Sequence, residues 1–380
     1  MGREKFTTYD FDSTLRSKGI SYSSDDSGHR HVHTRVTAEA EQHVRKTGRP
    51  RPSVDPAVMT IRRSLPRFDE LPDGRFVMTV GCPVNVESSC DTTGSMGSNV
   101  QTAIEVLPET YGMISEVLPG YDPQLALGIF GDVQDNFPLN RPQFEMTAEK
   151  IVNYVTDLAP ESDGGDAAED PQYAAFGAAY LTDAFLNRLG LMGYHFIITD
   201  APMHHRVDPN ELERIYGENV WKDLADNGFG DITRRSVPDV KEVFKALHKR
   251  CHAFYIAVGR MRNDWFEFYD PHHRVLIDDT RCLPAIEAAI IGLTEGTLQP
   301  MDVRKFLEDH QVSRDNIEAA LPHLMKIKFA EQRKLQEKAG IKIPQKGDVF
   351  AKKTDLQPVD HIDDDGASAP ATDTETSTWL

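Results

Sequence analysis

The chain has 380 residues, 39% of them hydrophobic, and a formal net charge of −18. That length allows one large domain or two ordinary ones, with enough apolar residues to bury a core. The acidic balance excludes a general nucleic-acid binder, which needs clustered positive charge, and it opposes docking on anionic membranes. No apolar run approaches the ~18–20 residues of a membrane span. Residues 1–9 lack the apolar centre of a secretory signal, so the expected location is the cytoplasm. Cys82, Cys90, Cys251 and Cys282 form no Cys-x-x-Cys pair and are too few for a disulfide framework; Cys90 and Cys251, in or beside apolar runs, read as reduced buried thiols.

Residues 1–75 are rich in Arg, Ser, Asp and His and include a basic stretch at 45–52. They read as an arm that is partly disordered, or ordered only against a partner or the main domain. His29, His31 and His33 alternate as three imidazoles on one strand face would, and are read as part of a solvated arm.

From residue 76 the pattern alternates between strand and helix. A strand is expected at 84–90, followed by a Gly-containing turn and a helix from about Gly97. Pro108 should break that helix, since it lacks a backbone donor and clashes with the preceding turn. A second strand is expected at 125–130 and a short one at 144–146, before a helix that places Ile151, Val152 and Val155 on one face. Helical spacing covers 169–189. The most apolar strand, 194–199, stops at Asp200. A helix at 237–250, strands at 253–259 and 274–277 and a helix at 284–293 complete the series.

Continuous apolar strands separated by amphipathic helices imply a mostly parallel sheet covered on both faces, the doubly wound, Rossmann-like α/β class, over residues 76–298. Residues 299–343 read as a helical extension, with helices at 302–309 and from Arg314 through Leu324 and Ile327. Residues 344–380 read as a disordered acidic tail: no Lys or Arg follows Lys353.

The strongest chemical signal is Asp91-Thr92-Thr93-Gly94-Ser95-Met96-Gly97, directly after a core strand and before a helix. Loops at the carboxyl ends of strands form the ligand crevice of an open α/β sheet. A carboxylate and two hydroxyls at alternate positions of a tight loop suit a hard cation such as Mg²⁺ or Mn²⁺, which takes oxygen ligands and keeps several waters. Hydroxyl ligands leave much of the ion's charge unneutralised, so it recruits an external carboxylate. Two further loops fall where such a site needs them. Gly164-Gly165-Asp166-Ala167-Ala168-Glu169 precedes a helix, and Thr199-Asp200-Ala201-Pro202 ends the 194–199 strand. The metal ligands expected are Asp91, Thr93, Ser95, Asp166 and Asp200. His204-His205 read as a polar rim, His272-His273 as a turn, and Asp132 with Asp135 as a solvated turn after the second strand.

Asp91-x-Thr93-x-Ser95, with the loop ending in Asp200, resembles the von Willebrand factor A superfamily and its metal-ion-dependent adhesion site. The form Gly164-Gly165-Asp166-x-x-Glu169 with Ile198-Thr199-Asp200-Ala201-Pro202 is similar to the branch found beside atypical alpha-kinases and in some extracellular matrix proteins. The resemblance covers residues 80–295. It implies a Rossmann-like sheet with one short antiparallel edge strand, and a Mg²⁺ that binds an acidic side chain of a protein partner. Most members place Thr in the middle loop, where this chain offers Asp166. Before the first loop, Glu87-Ser88-Ser89-Cys90 is more polar than the family's usual strand.

The expected function is therefore a non-enzymatic, metal-dependent interaction module. Its partner offers an Asp or Glu, and by analogy is an AAA-type ATPase or a kinase. The alternatives are a Mg²⁺-dependent phosphoester hydrolase and a structural subunit that self-assembles into a homo-oligomer.

Overall fold

The computed structural model describes residues 22–24, 30–32, 35–160 and 168–361. Its centre is a six-stranded sheet: β1 (Cys82–Asp91), β2 (Tyr121–Phe130), β3 (Leu139–Asn140), β4 (Gly193–Thr199), β5 (Cys251–Val258) and β6 (Arg274–Ile277). The spatial order is β6-β5-β4-β1-β2-β3, and every pairing is parallel except that of β2 with β3. This is the doubly wound α/β architecture with one short antiparallel edge. The chain runs outward from β1 to β3, then returns to the other side of β1 with β4. The boundary between β1 and β4 is thus the point where the strand order reverses, the place where such sheets bind ligands.

Strand residues alternate between two faces. Val84, Val86, Cys90, Tyr194, Phe196, Ile198, Phe254 and Ile256 join one apolar cluster. It is closed by α1 (Ser98–Val106), α2 (Thr110–Val117), α3 (Ala148–Val155) and α4 (Leu283–Glu295). All of α4 is buried, and it stops at Gly296, whose φ of 78° suits a residue without Cβ. On the other face Ile197, Ala253, Tyr255 and Ala257 meet α5 (Pro171–Tyr180) and α6 (Val240–Arg250). A capping box of Asp239 and Glu242 starts α6.

The polar run in β1 has partners on both faces. Ser88 donates to Oε1 of Glu287 in α4 at 2.9 Å. Glu87, on the opposite face, accepts two bonds from Arg141, at 2.6 and 2.9 Å. Arg141 also donates to Thr182 Oγ1, and its carbonyl accepts from the buried Arg62.

Pro108 breaks the helix after Ser98–Val106: a 3-10 turn, Leu107–Glu109, intervenes before α2. The short edge strand lies at Leu139–Asn140, and near 144–146 only Glu145 bridges, to Leu125. Helical spacing over 169–189 is split: after α5 the chain forms a strand, Thr182–Ala184, pairing with Arg62–Ser64, before a short helix, Phe185–Arg188. Burial of Arg62 and Thr182 beside the Glu87–Arg141 pair outweighs local periodicity there. Helices Pro209–Tyr216 and Val220–Asp226 fill a stretch that carried no assigned element.

The arm is ordered against the main domain from Arg35. Its helix, Arg35–Thr47, buries Ala40 and Val44 with Phe137 and Ala159, and Val54 enters the core. Helices Val303–Asp309 and Arg314–Leu324 pack Val303, Leu307, Ile317 and Leu324 into the core beside α4. A third helix, Glu331–Ala339, starts after Ala330, its N-cap, which is left-handed at φ 57°. Residues 348–350, within the segment read as a tail, form a strand paired with Phe76–Met78, because Val349 and Phe350 are apolar and wholly buried. Among the described residues no helix is long and apolar enough to cross a membrane.

Candidate metal centre

Asp91 is the last residue of β1 and is fully buried. Its Oδ1 accepts from the Thr93 amide at 2.8 Å and the Thr93 hydroxyl at 2.7 Å; its Oδ2 accepts from the Thr199 hydroxyl at 2.5 Å. The Thr93 and Ser95 hydroxyls are 3.4 Å apart, and Ser95 Oγ donates to Asp200 Oδ1 at 2.7 Å. Four of the five expected ligands, Asp91, Thr93, Ser95 and Asp200, are thus one connected group at the β1–β4 boundary. The fifth, Asp166, lies outside the described residues, as do His29 and His33. The loop between Asp91 and α1 is a 3-10 turn, Gly94–Met96, ended by Gly97 at φ 54°, a conformation that favours glycine.

The β2 loop closes the site from the other side. A Cβ on Gly131 would meet Asp135 Oδ2, from the same loop, at 2.3 Å, so glycine leaves room for that carboxylate, and Thr93 Cγ2 lies at ordinary contact distance, 3.8 Å. Asp132 and Asp135, expected as a solvated turn, are buried. The turn itself is present: Oδ1 of Asp132 accepts from the Gln134 amide at 2.7 Å. What the sequence does not reveal is the cover supplied by Glu169 and Asp170. Oδ2 of Asp170 accepts from the Val133 amide at 2.8 Å, and the Asp170 amide donates to the Gly131 carbonyl at 3.3 Å.

Glu169, the last residue of the 164–169 motif and not among the expected ligands, stands beside this group. It is buried, and its Oε2 has no hydrogen-bond partner. Its backbone pairs with the Asp200 loop: the Glu169 amide donates to the Pro202 carbonyl at 3.0 Å, and the His204 amide to the Glu169 carbonyl at 2.8 Å. That ladder fixes His204, half-buried, beside the carboxylates, while His205 points outward against Phe268. His272 and His273 form the expected turn, held by Asp270.

The electrostatics are those of uncompensated negative charge. Burial pushes Asp91 up to about 6, opposed by the hydrogen bonds from Thr199 and Thr93 and reinforced by the charge of Asp200. Burial and the Asp91 charge push Glu169 up to about 9; Asp132 and Asp135 add to the rise and the Thr93 hydroxyl opposes it. Asp170 is also raised, chiefly by burial. No lysine or arginine is among the main influences on these three groups. Such an arrangement is stable only when protons or a cation neutralise it. The donor set, with its buried unpartnered Glu169 oxygen, fits an oxygen-seeking divalent cation.

The site is graded in exposure. Asp91 and Thr93 are buried, Asp200 is half-buried and Ser95 is exposed, so a cation held by all four has one side toward solvent.

No family model and no curated protein matches the chain. Among solved structures it is similar to proximal thread matrix protein 1 from the mussel byssus with a zinc-occupied MIDAS motif (12% identity, 56% of this chain and 46% of that one, TM-score 0.36). It is also similar to a von Willebrand factor type A structure from Catenulispora acidiphila (13%, 58% and 45%, TM-score 0.33). A third is the pilus adhesin SpaC from Lactobacillus rhamnosus GG (14%, 58% and 32%, TM-score 0.38). The chain spans less than half the length of each. With scores this low, the fold class rests on strand order and register.

Proposed function

We propose that the chain is a metal-dependent protein-interaction module. Asp91, Thr93, Ser95 and Asp200 hold a Mg²⁺ or Mn²⁺, and the ion's solvent-facing side takes an Asp or Glu of a partner protein. The observation that carries this reading is the linked set Asp91–Thr93–Ser95–Asp200, which is buried at one end and open at the other. The chemistry the ion supplies is Lewis acidity toward an incoming carboxylate. Thr93 and Ser95 would serve as neutral ligands that leave its charge available, while Asp91 and Asp200 would anchor it, mainly through waters. Asp166, if it faces the ion, reduces that pull, as does Glu169.

The same reading makes the module a non-enzymatic subunit acting in the cytoplasm, where its four buried free thiols stay reduced. The resemblance to intracellular von Willebrand A proteins supplies the partner class, an AAA-type ATPase or a kinase. The arm and the 301–338 helices then extend the docking surface or join copies of the chain.

The test is affinity capture with the full chain and with Asp91→Ala as baits, in Mg²⁺ and then in EDTA, with circular dichroism to check folding. Partners should be retained only by the wild type in Mg²⁺. Capture that survives both chelation and the substitution would overturn the reading. Turnover of generic phosphoesters in Mg²⁺ would replace it with a hydrolase.

A further inference from the structure

Next to the Asp91 group stands a second cluster of different composition. Asp132, Asp170 and His204 each offer one ligand atom, and the three atoms lie within 4.8 Å of one another. They come from three separate loops, and backbone amides orient both carboxylates while a backbone bond places the His204 loop. The Gln134 amide holds Oδ1 of Asp132, the Val133 amide holds Oδ2 of Asp170, and the His204 amide is tied to the Glu169 carbonyl. Hydrogen bonds that fix the direction of carboxylates in this way are the usual outer support of metal ligands.

Two independent features separate this cluster from an ordinary acidic patch. Asp132 has no solvent exposure, and its Oδ2 has no hydrogen-bond partner. A buried carboxylate oxygen left unbonded is costly, and a cation on it removes that cost. The third member is an imidazole, a donor absent from the Asp91 group. Mixed nitrogen and carboxylate donors favour zinc and its neighbours, whereas all-oxygen donors favour Mg²⁺, Ca²⁺ or Mn²⁺.

We propose that Asp132, Asp170 and His204 form a second metal site, selective for a zinc-class divalent ion, beside the Mg²⁺ site. Three protein ligands leave a tetrahedral ion one open position. The two sites are neighbours through Glu169, whose carboxyl group responds to Asp91 on one side and Asp132 on the other. The assignment does not depend on partner docking at the first site.

The experiment is a calorimetric titration of the metal-stripped full chain with Zn²⁺ in excess Mg²⁺, so that the first site is already filled. Wild type should take up zinc saturably. His204→Ala and Asp132→Asn should each weaken that binding by roughly tenfold or more. Asp91→Ala should leave it unchanged while losing Mg²⁺ binding. Zinc affinity unaltered in both His204→Ala and Asp132→Asn would overturn the proposal. So would zinc binding lost in Asp91→Ala, which would place the zinc at the first site. Should Asp132→Asn not fold, as read by circular dichroism, His204→Ala decides alone, because that side chain is half-exposed.

Discussion

Ser95 Oγ donates to Asp200 Oδ1 at 2.7 Å, joining loops 105 positions apart along the chain. The bond exists because β1 and β4 are parallel neighbours, with Cys90 opposite Ile198, so both strands release their loops at the same edge. With Asp91 buried beneath it, this contact closes one wall of the candidate site.

Asp91 sits in that wall as a carboxylate with three hydrogen bonds and no cation among its main influences. Asp91→Asn keeps the size and one acceptor and removes the charge. In metal-free buffer it should melt at or above the wild-type temperature. Mg²⁺ at ~100 times its dissociation constant should stabilise the wild type by roughly 2.7 kcal/mol and the variant not at all. Differential scanning calorimetry with and without Mg²⁺ reads both effects.

Glu287 makes stability depend on pH away from the candidate site. It is fully buried, and burial pushes it up to about 8, with the Ser88 hydroxyl opposing. A carboxyl raised above its unfolded value of 4.5 stays protonated in the fold while the unfolded chain ionises. It therefore lowers stability as pH climbs from 4.5 toward 8, by at most about 1.4 kcal/mol per pH unit. Glu295, pushed up to about 7, acts in the same direction over a narrower window. Glu287→Gln should thus be more stable than wild type at pH 8, with the advantage shrinking toward pH 5. Urea denaturation at a series of pH values measures it.

Breaking the Glu87–Arg141 pair should cost far more than any surface change. Both side chains are almost wholly buried, and Arg141 spans Glu87 and Thr182. Arg141→Met leaves an unpaired buried carboxylate, which costs about 3–5 kcal/mol. Adding Glu87→Gln to that variant should recover part of the loss, because the orphaned charge is gone. A double-mutant cycle by urea denaturation gives the coupling; equal stabilities for the single and double variants would contradict it.

The fold was legible where strands are buried on both faces. Runs such as 194–199 and 253–258 carry their own signature, and Pro108 marks its break unaided. Where tertiary contacts decide, local pattern failed. Thr182–Ala184 continues a helical spacing, yet pairs with Arg62–Ser64 over the buried arginines. The Asp91, Thr93, Ser95 and Asp200 positions were readable as candidates because each lies at or just after a strand end. Asp132 was not, since an acid after Gly131 looks like any turn until the Glu169–Asp170 segment covers it. Glu169 stood in the motif, but its importance comes from burial, which spacing does not encode.

The most direct test of the central claim is a Mn²⁺ titration of the metal-stripped chain by calorimetry, with Asp91→Ala alongside and folding followed by circular dichroism. Wild type should bind Mn²⁺ saturably, and Asp91→Ala should keep its fold and bind one equivalent less. An Asp91→Ala isotherm that overlays the wild type would place the ion elsewhere and contradict the account.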